Sequence, residues 1–115
     1  MHNYRDLIVW QKAMDLVEVV YEVNNKLPVQ EKTNFGSQIC RSALSIPSNI
    51  AEGAGRGTNK DFARFLAMSV GSSYELETQL VLIQRIFKIE TTKVVEEVKE
   101  VQRMLFNLRK KYRST

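Results

Sequence analysis

The chain has few of the residues on which metal sites, covalent catalysis and β-rich folds depend. Its 115 residues include a single cysteine, Cys40, and a single histidine, His2. These two residues can form neither an intrachain disulfide nor an ordinary zinc site, and a Glu-x-x-His di-iron motif is absent. Two prolines and five glycines leave few positions for the turns of an all-β protein. We therefore expect no metal, no cofactor and no catalytic residue, and hence a protein that is not an enzyme.

Long apolar runs are also missing. No stretch of eighteen or more apolar residues occurs, so we expect no membrane span. The first residues, from Met1 to Asp6, lack the basic and then apolar segments of a secretory signal peptide. A cytoplasmic protein is the plain interpretation, and a chain of this length suits one domain.

Apolar residues recur at steps of three and four along most of the chain, which is the pattern of helices with a buried side. Four such segments span about residues 6–26, 29–54, 59–88 and 92–112. Because the three connections are short, consecutive helices should run in opposite directions. We predict an all-α fold, an antiparallel up-down-up-down four-helix bundle in one domain over residues 1–115, with residues 1–5 and 113–115 frayed.

The second segment contains Pro47 in its interior. A proline there removes one backbone hydrogen bond and crowds the carbonyl one turn earlier, at a cost of about 3 kcal/mol. The apolar pattern nevertheless continues through Pro47 from Phe35 to Ile50 without losing phase. We therefore predict one continuous second helix that is kinked at Pro47, rather than two helices and a loop.

The third segment has small residues at its centre, from Ala67 to Ser73. Small side chains allow two helix backbones to approach closely. An antiparallel pairing would bring this stretch near Ala51, Gly53 and Ala54 at the end of the second helix. We expect a close contact between the two helices there.

Polar residues follow one another about one turn apart on the second and third helices. This polar stripe consists of Arg41, Ser45, Asn49, Glu52 and Arg56 on one helix and Arg64, Ser72 and Glu75 on the other. The stripe is either a network that fixes helix register or a subunit contact, with pairs such as Arg41 to Glu75 or Glu52 to Arg64. Alternatively, it is a shallow ligand or catalytic site with Glu52 or Glu75 as a base.

Positive charge is concentrated at the C-terminal end. The net charge of the whole chain is only +4. From Arg103 onward there is no acidic residue, and there are five basic ones: Arg103, Arg109, Lys110, Lys111 and Arg113. Such a cluster can attract phosphate backbones, which makes these residues candidates for nucleic-acid binding. Basic residues at a helix C-terminus also stabilise the helix dipole, so both interpretations stay open.

Several motifs resemble those of one known family. They are YxxLxVWxKA from Tyr4, LPxxE from Leu27, QxxRSAxSIPxNIAEG from Gln38, FxxFL from Phe62 and GSxxE from Gly71. These motifs are similar to those of the bundle proteins encoded in intervening sequences of bacterial 23S ribosomal RNA genes. The resemblance covers about residues 4–87, and the fourth segment resembles the family only as a generic amphipathic helix.

The resemblance implies a four-helix bundle that assembles into a homopentamer and has no established enzymatic activity. Some related bundles are accessory proteins of reverse transcriptases in diversity-generating retroelements, where a basic pentamer engages RNA and the enzyme. The resemblance also implies a structural or interaction role for six residues: Arg41, Asn49, Glu52, Arg56, Gly71 and Glu75.

Three functional hypotheses follow. The leading hypothesis is a homo-oligomeric helical scaffold that binds RNA or an RNA-associated protein. It rests on the basic C-terminal end, on the resemblance, and on a first helix that Trp10, Val17 and Tyr21 make apolar on two faces. The alternatives are a small-molecule binder or enzyme that uses the polar stripe, and a purely structural oligomer.

Overall fold

The computed structural model describes residues 2–113, and within this range the chain forms helices and no strand. A 3-10 helix at Tyr4–Asp6 precedes α1 (Ile8–Lys26), a single turn α2 (Val29–Lys32), α3 (Phe35–Ala54), α4 (Asn59–Phe87) and α5 (Thr92–Arg113). The predicted all-α class and its four long helices are confirmed. No helix of residues 2–113 combines the length and the apolar character needed to cross a bilayer.

The second predicted helix is divided, but not at Pro47. The prediction of one helix over residues 29–54 is wrong at Asn34, whose backbone angles of φ −112° and ψ −91° are not helical. Side chains hold this break, since Asn34 Nδ2 donates to Glu31 Oε1 and Ser37 Oγ donates to the carbonyl of Asn34 at 3.0 Å. In contrast, α3 is helical through Pro47.

The N-terminal residues are fixed by contacts with the rest of the chain. The amide of His2 donates to the carbonyl of Ala54 at 3.1 Å. Its ring lies 4.8 Å from that of Phe62 and 4.7 Å from that of Tyr112, measured between centroids. The prediction of fraying is therefore wrong for residues 2–5, and Arg113 belongs to α5. Residues 1, 114 and 115 lie outside the described part of the chain.

The core consists of the apolar residues that carried the helical periodicity. The apolar residues that recur at steps of four and three along the first segment are all buried: Val9, Ala13, Leu16, Val20, Val23 and Leu27. They pack against residues that are fully buried on the other three long helices, among them Ile39, Ile46, Ile50, Leu66, Leu76, Leu80, Val98 and Leu105. The helix α4 lies centrally, because it packs extensively on both α3 and α5.

Gly53 of α3 packs closely against Phe62 and Phe65 of α4, and not against the small stretch from Ala67 to Ser73 as predicted. That stretch lies beside Ser45 and Ile46. A Cβ atom added to Gly53 would lie 2.6 Å from Phe65 Cβ and 3.1 Å from Phe62 Cδ1, so only glycine fits there without displacing α4. Of the small residues in α4, Ser69 and Ser73 are buried, whereas Gly71 is exposed and faces open space. Gly71 is therefore not required for packing within one chain.

We expect Gly53→Ala and Gly71→Ala to change stability in opposite directions. The new methyl group at position 53 overpacks the contact with Phe65 and should lower the free energy of unfolding by about 1–3 kcal/mol. At position 71 the new methyl group meets no other atom, and alanine has a higher helix propensity than glycine. Gly71→Ala should therefore raise the free energy of unfolding by up to about 1 kcal/mol. Urea unfolding at one protein concentration measures both. Equal losses in the two variants would contradict this account of Gly53.

Candidate functional site

A seam of polar side chains lies between α3 and α4, and it contains part of the predicted polar stripe. We call Ser42, Ser45, Asn49, Ser69, Ser72 and Glu75 the polar seam. Ser42 Oγ donates to Glu75 Oε1 at 3.0 Å, the hydroxyl groups of Ser45 and Ser72 are hydrogen-bonded to each other, and Ser69 Oγ donates to the carbonyl of Ile46 at 2.9 Å. These contacts fix the register of α3 against α4.

Most donors of the seam and its neighbours bond carbonyls in the turn before Pro47. Because Pro47 has no N–H, this turn lacks one helical hydrogen bond. The carbonyl that loses its helical donor is that of Ala43, four residues before Pro47. Four neighbouring carbonyls accept an additional side-chain donor: Ser42 O from Ser45 Oγ, Leu44 O from Ser48 Oγ, Ser45 O from Asn49 Nδ2, and Ile46 O from Ser69 Oγ. The polar residues around Pro47 therefore bond the backbone of α3 on both sides of the carbonyl that the proline leaves without a helical donor.

The charged members of the predicted stripe pair differently from the expectation. Glu52 pairs with Arg56 at 3.4 Å, and Arg64 pairs with Asp61 at 3.7 Å. Neither the Arg41–Glu75 nor the Glu52–Arg64 pair is among the ion pairs within residues 2–113. Arg41 lies on the exposed side of α3, and Glu75 is held by Ser42.

Arg56 and Arg64 also share one aromatic partner. Their guanidinium carbons lie 4.8 and 4.7 Å from the centroid of the Phe65 ring, which is itself buried. Contacts between a guanidinium and an aromatic ring of this kind are attractive. Because Gly53 allows Phe65 to approach α3, the same close contact places two cations at one end of the molecule.

The polar seam holds one carboxylate and no histidine. Glu75 accepts from Ser42, and His2 packs against Phe62 and Tyr112. Within residues 2–113 no group of three or more histidine, cysteine and acidic side chains could hold a metal ion. Four surface clefts of about 270–390 Å³ in this part of the chain are lined by neither Glu52 nor Glu75.

The thiol of Cys40 is half-buried on α3. Burial raises the pKa of the Cys40 thiol, and a hydrogen bond with Tyr21 opposes this to a smaller extent. A thiol with a raised pKa remains protonated at neutral pH and is a poor nucleophile. Cys40 therefore acts as a packing residue.

An ion pair joins α1 to α5 beside a cleft of about 270 Å³. Lys12 Nζ lies 2.6 Å from Glu100 Oε1, and both side chains are about half exposed. Their hydrogen bond and mutual attraction raise the pKa of Lys12 and lower the pKa of Glu100. The periodicity of each helix alone could not reveal this pair, because its residues are 88 positions apart in the sequence.

The predicted basic cluster of α5 joins two basic residues of α4. Arg109 and Arg113 line a cleft of about 390 Å³ between the two helices, together with Lys60, Ala63, Arg64 and Ala67. Arg103 lines a neighbouring cleft of about 300 Å³ with Tyr74, Gln102, Phe106 and Asn107. We call these two clefts the basic furrow. Lys110 is exposed nearby, and Lys111 Nζ lies 5.4 Å from the centroid of the Tyr112 ring.

Sequence reasoning missed Lys60 as part of this cluster and placed Arg64 in the polar stripe. Both residues lie in the first two turns of α4, and only the packing of α4 on α5 brings them beside Arg109 and Arg113. Among these four cations, in the part of the chain that is described, only Arg64 lies within ion-pair distance of a carboxylate.

We expect Ser69→Ala to lower the free energy of unfolding by about 0.5–1.5 kcal/mol, because it removes a buried hydrogen bond to Ile46 O. Ser48→Ala is the matched control, since Ser48 Oγ makes the same type of bond to Leu44 O on the exposed side of α3. The control should change stability by less than about 0.5 kcal/mol. Urea unfolding measures the free energy of unfolding of both variants. An equal loss in the two would contradict a role of the Ser69 hydrogen bond in holding α4 against α3.

Comparison with known proteins places the chain in a family. The curated proteins contain no significant match to it. The family described as 23S rRNA-intervening sequence protein matches residues 5–107. This range extends beyond the predicted resemblance and includes the polar seam and most of α5, but it ends before Arg109. The match spans most of the sequence, and the chain therefore belongs to the 23S rRNA-intervening sequence protein family.

Proposed function

We propose that the protein is a non-enzymatic, homo-oligomeric scaffold that binds RNA or an RNA-associated protein through the basic furrow. The observation that supports RNA binding best is the collection of Lys60, Arg64, Arg109 and Arg113 around one cleft. Only one carboxylate, that of Asp61, pairs with any of them in residues 2–113. A groove with this excess of positive charge attracts the phosphates of a nucleic acid.

The proposed architecture is an up-down-up-down bundle whose second long helix bends at Pro47. Contacts between α3 and α4 support opposite directions, because Ser42 meets Glu75 and Ser45 meets Ser72, so that one number falls as the other rises. Support for a bend comes from the side-chain donors on the carbonyls before Pro47, since carbonyls that turn away from the helix axis accept such bonds readily.

Self-association is supported by apolar residues that one chain leaves exposed. Leu44 on α3 and Met68 on α4 are 50% and 47% exposed, and Met68 lies about one turn before the open Gly71 on α4. On α1, Tyr21 of the predicted second apolar face is 47% exposed. We propose that copies of this chain cover these residues in a homo-oligomer, and the family resemblance makes a pentamer the expected number.

We predict a solution mass of about five chains, measured by light scattering after size exclusion. Leu44→Glu with Met68→Glu should reduce this mass, because two charges would then lie in the covered surface. Val29→Glu is the control, since Val29 is exposed on α2, far from this surface. A wild-type monomer would contradict the oligomer, and loss of assembly in the control as well would contradict this choice of surface.

We predict that the wild type binds a generic RNA in low salt and that Arg109→Ala/Lys110→Ala/Lys111→Ala weakens binding at least about tenfold. The slope of log K against log salt should fall by about 0.7 for each lost contact with a single strand. Lys26→Ala/Lys32→Ala/Lys93→Ala removes the same charge elsewhere and serves as the control. Fluorescence anisotropy measures both. No RNA binding by the wild type would leave a purely structural oligomer.

A further inference from the structure

Two exposed aromatic residues stand beside the cations of the basic furrow. Tyr74 on α4 and Phe106 on α5 are 56% and 50% exposed, although Phe106 has no polar atom that would favour contact with water. They line the same cleft, together with Arg103 and Asn107. Both rings are therefore available to a ligand that enters between α4 and α5.

A hydrogen-bonded glutamine fixes the position of these rings. Gln102 Nε2 donates to Glu77 Oε1 at 2.8 Å and to the carbonyl of Ser73 at 3.4 Å. Ser73 precedes Tyr74 directly, and Gln102 lies one turn before Phe106 on α5. The bond thus holds the two helix surfaces that carry the rings in one register. It also occupies the carboxylate of Glu77, which is the acidic group next to this cleft.

The aromatic cleft and the cationic cleft follow each other along the same helix faces. On α5, Phe106, Arg109 and Arg113 are separated by steps of three and four, which keep them on one side of the helix. On α4, the steps of three, four and seven from Lys60 through Ala63 and Ala67 to Tyr74 do the same. At 1.5 Å per residue the α4 side of the furrow is about 21 Å long.

The combination of rings and cations distinguishes between two forms of RNA. In a duplex the bases are stacked on one another, so a protein meets mainly phosphates and hydroxyl groups. In an unpaired strand the bases can stack on aromatic side chains while basic residues follow the phosphates. The furrow offers both features in two clefts that lie along the same pair of helices, and the small side chains of Ala63 and Ala67 line the cationic one.

From this arrangement we infer that the basic furrow binds an unpaired RNA strand, whose bases stack on Tyr74 and Phe106 and whose phosphates contact Lys60, Arg64, Arg109 and Arg113. This inference rests on the proposed RNA-binding function and names the form of RNA that the furrow selects. Binding of this kind tolerates many sequences, because every base has a face that can stack.

The test compares a fluorescein-labelled, unstructured 12-nucleotide RNA with the same strand annealed to its complement, by anisotropy with the full chain. The wild type should bind the unpaired strand more tightly than the duplex at equal salt. Tyr74→Ala/Phe106→Ala should weaken binding of the unpaired strand at least about fivefold, since each stacked base contributes substantially. The same variant should change duplex binding less than about twofold.

Two further variants serve as controls. Tyr74→Phe/Phe106→Tyr keeps both rings and should retain wild-type affinity for the unpaired strand. Val29→Ala removes an exposed apolar side chain from α2, outside the furrow and the proposed subunit contact, and should also leave binding unchanged. Circular dichroism confirms that each variant is folded, and the wild-type comparison of the two RNAs does not depend on any variant.

The outcomes separate this inference from the proposed function. If Arg109→Ala/Arg113→Ala abolishes binding but the Tyr74→Ala/Phe106→Ala variant binds the unpaired strand like the wild type, the inference is wrong and the function stands. If the wild type binds the duplex as tightly as the unpaired strand, or more tightly, the inference is also wrong and the proposed function stands. If the wild type binds neither RNA in low salt, both the inference and the function fail.

Discussion

The rest of the structure depends on a proline in the middle of a buried helix. Pro47 removes one hydrogen bond from α3 at a place where water cannot replace it. Four carbonyls in the preceding turn accept bonds from serine and asparagine side chains, and one of these donors, Ser69, comes from α4. Ser69 thus ties α4 to the same turn of α3. The polar motif of the sequence forms, in the structure, hydrogen bonds within α3 and between α3 and α4.

The register of α4 against α3 also determines where residues outside the polar seam lie. With α4 fixed against α3, Gly53 meets Phe65, and the ring of Phe65 carries the guanidinium groups of Arg56 and Arg64. On its other side α4 is held to α5 by Gln102, which aligns the basic end of α5 with the first turns of α4. The helix α4 thus has two roles on two sides. The side toward α3 forms the hydrogen bonds of the polar seam, whereas the side toward α5 carries the cations and exposed rings.

The sequence alone was sufficient for the four long helices and most of the core, because a buried helical stripe repeats in the amino-acid pattern itself. It could not reveal the break at Asn34, since one non-helical residue scarcely alters the phase of Phe35 and Ile39 with the residues before it. The sequence also could not show that His2 contacts Phe62 and Tyr112, or that Lys60 lies in the basic furrow. The contacts of His2 and the place of Lys60 join residues far apart in the chain, and periodicity within one helix carries no information on which helix lies beside it.

Self-association and RNA binding, as we propose them, use different sides of α4 and so reinforce one another. The exposed apolar residues Leu44 and Met68 accompany the α3 side, and the basic furrow accompanies the α5 side. In a closed ring every copy presents its own furrow in a symmetric position. A single furrow with a handful of cations binds weakly at physiological salt, because each phosphate contact is opposed by counterions. When several furrows belong to one assembly, a strand bound by one furrow meets the others in intramolecular steps. The overall affinity then rises without any new kind of contact. A chain of only moderate net charge can in this way hold RNA as an oligomer, even though its monomer would release it.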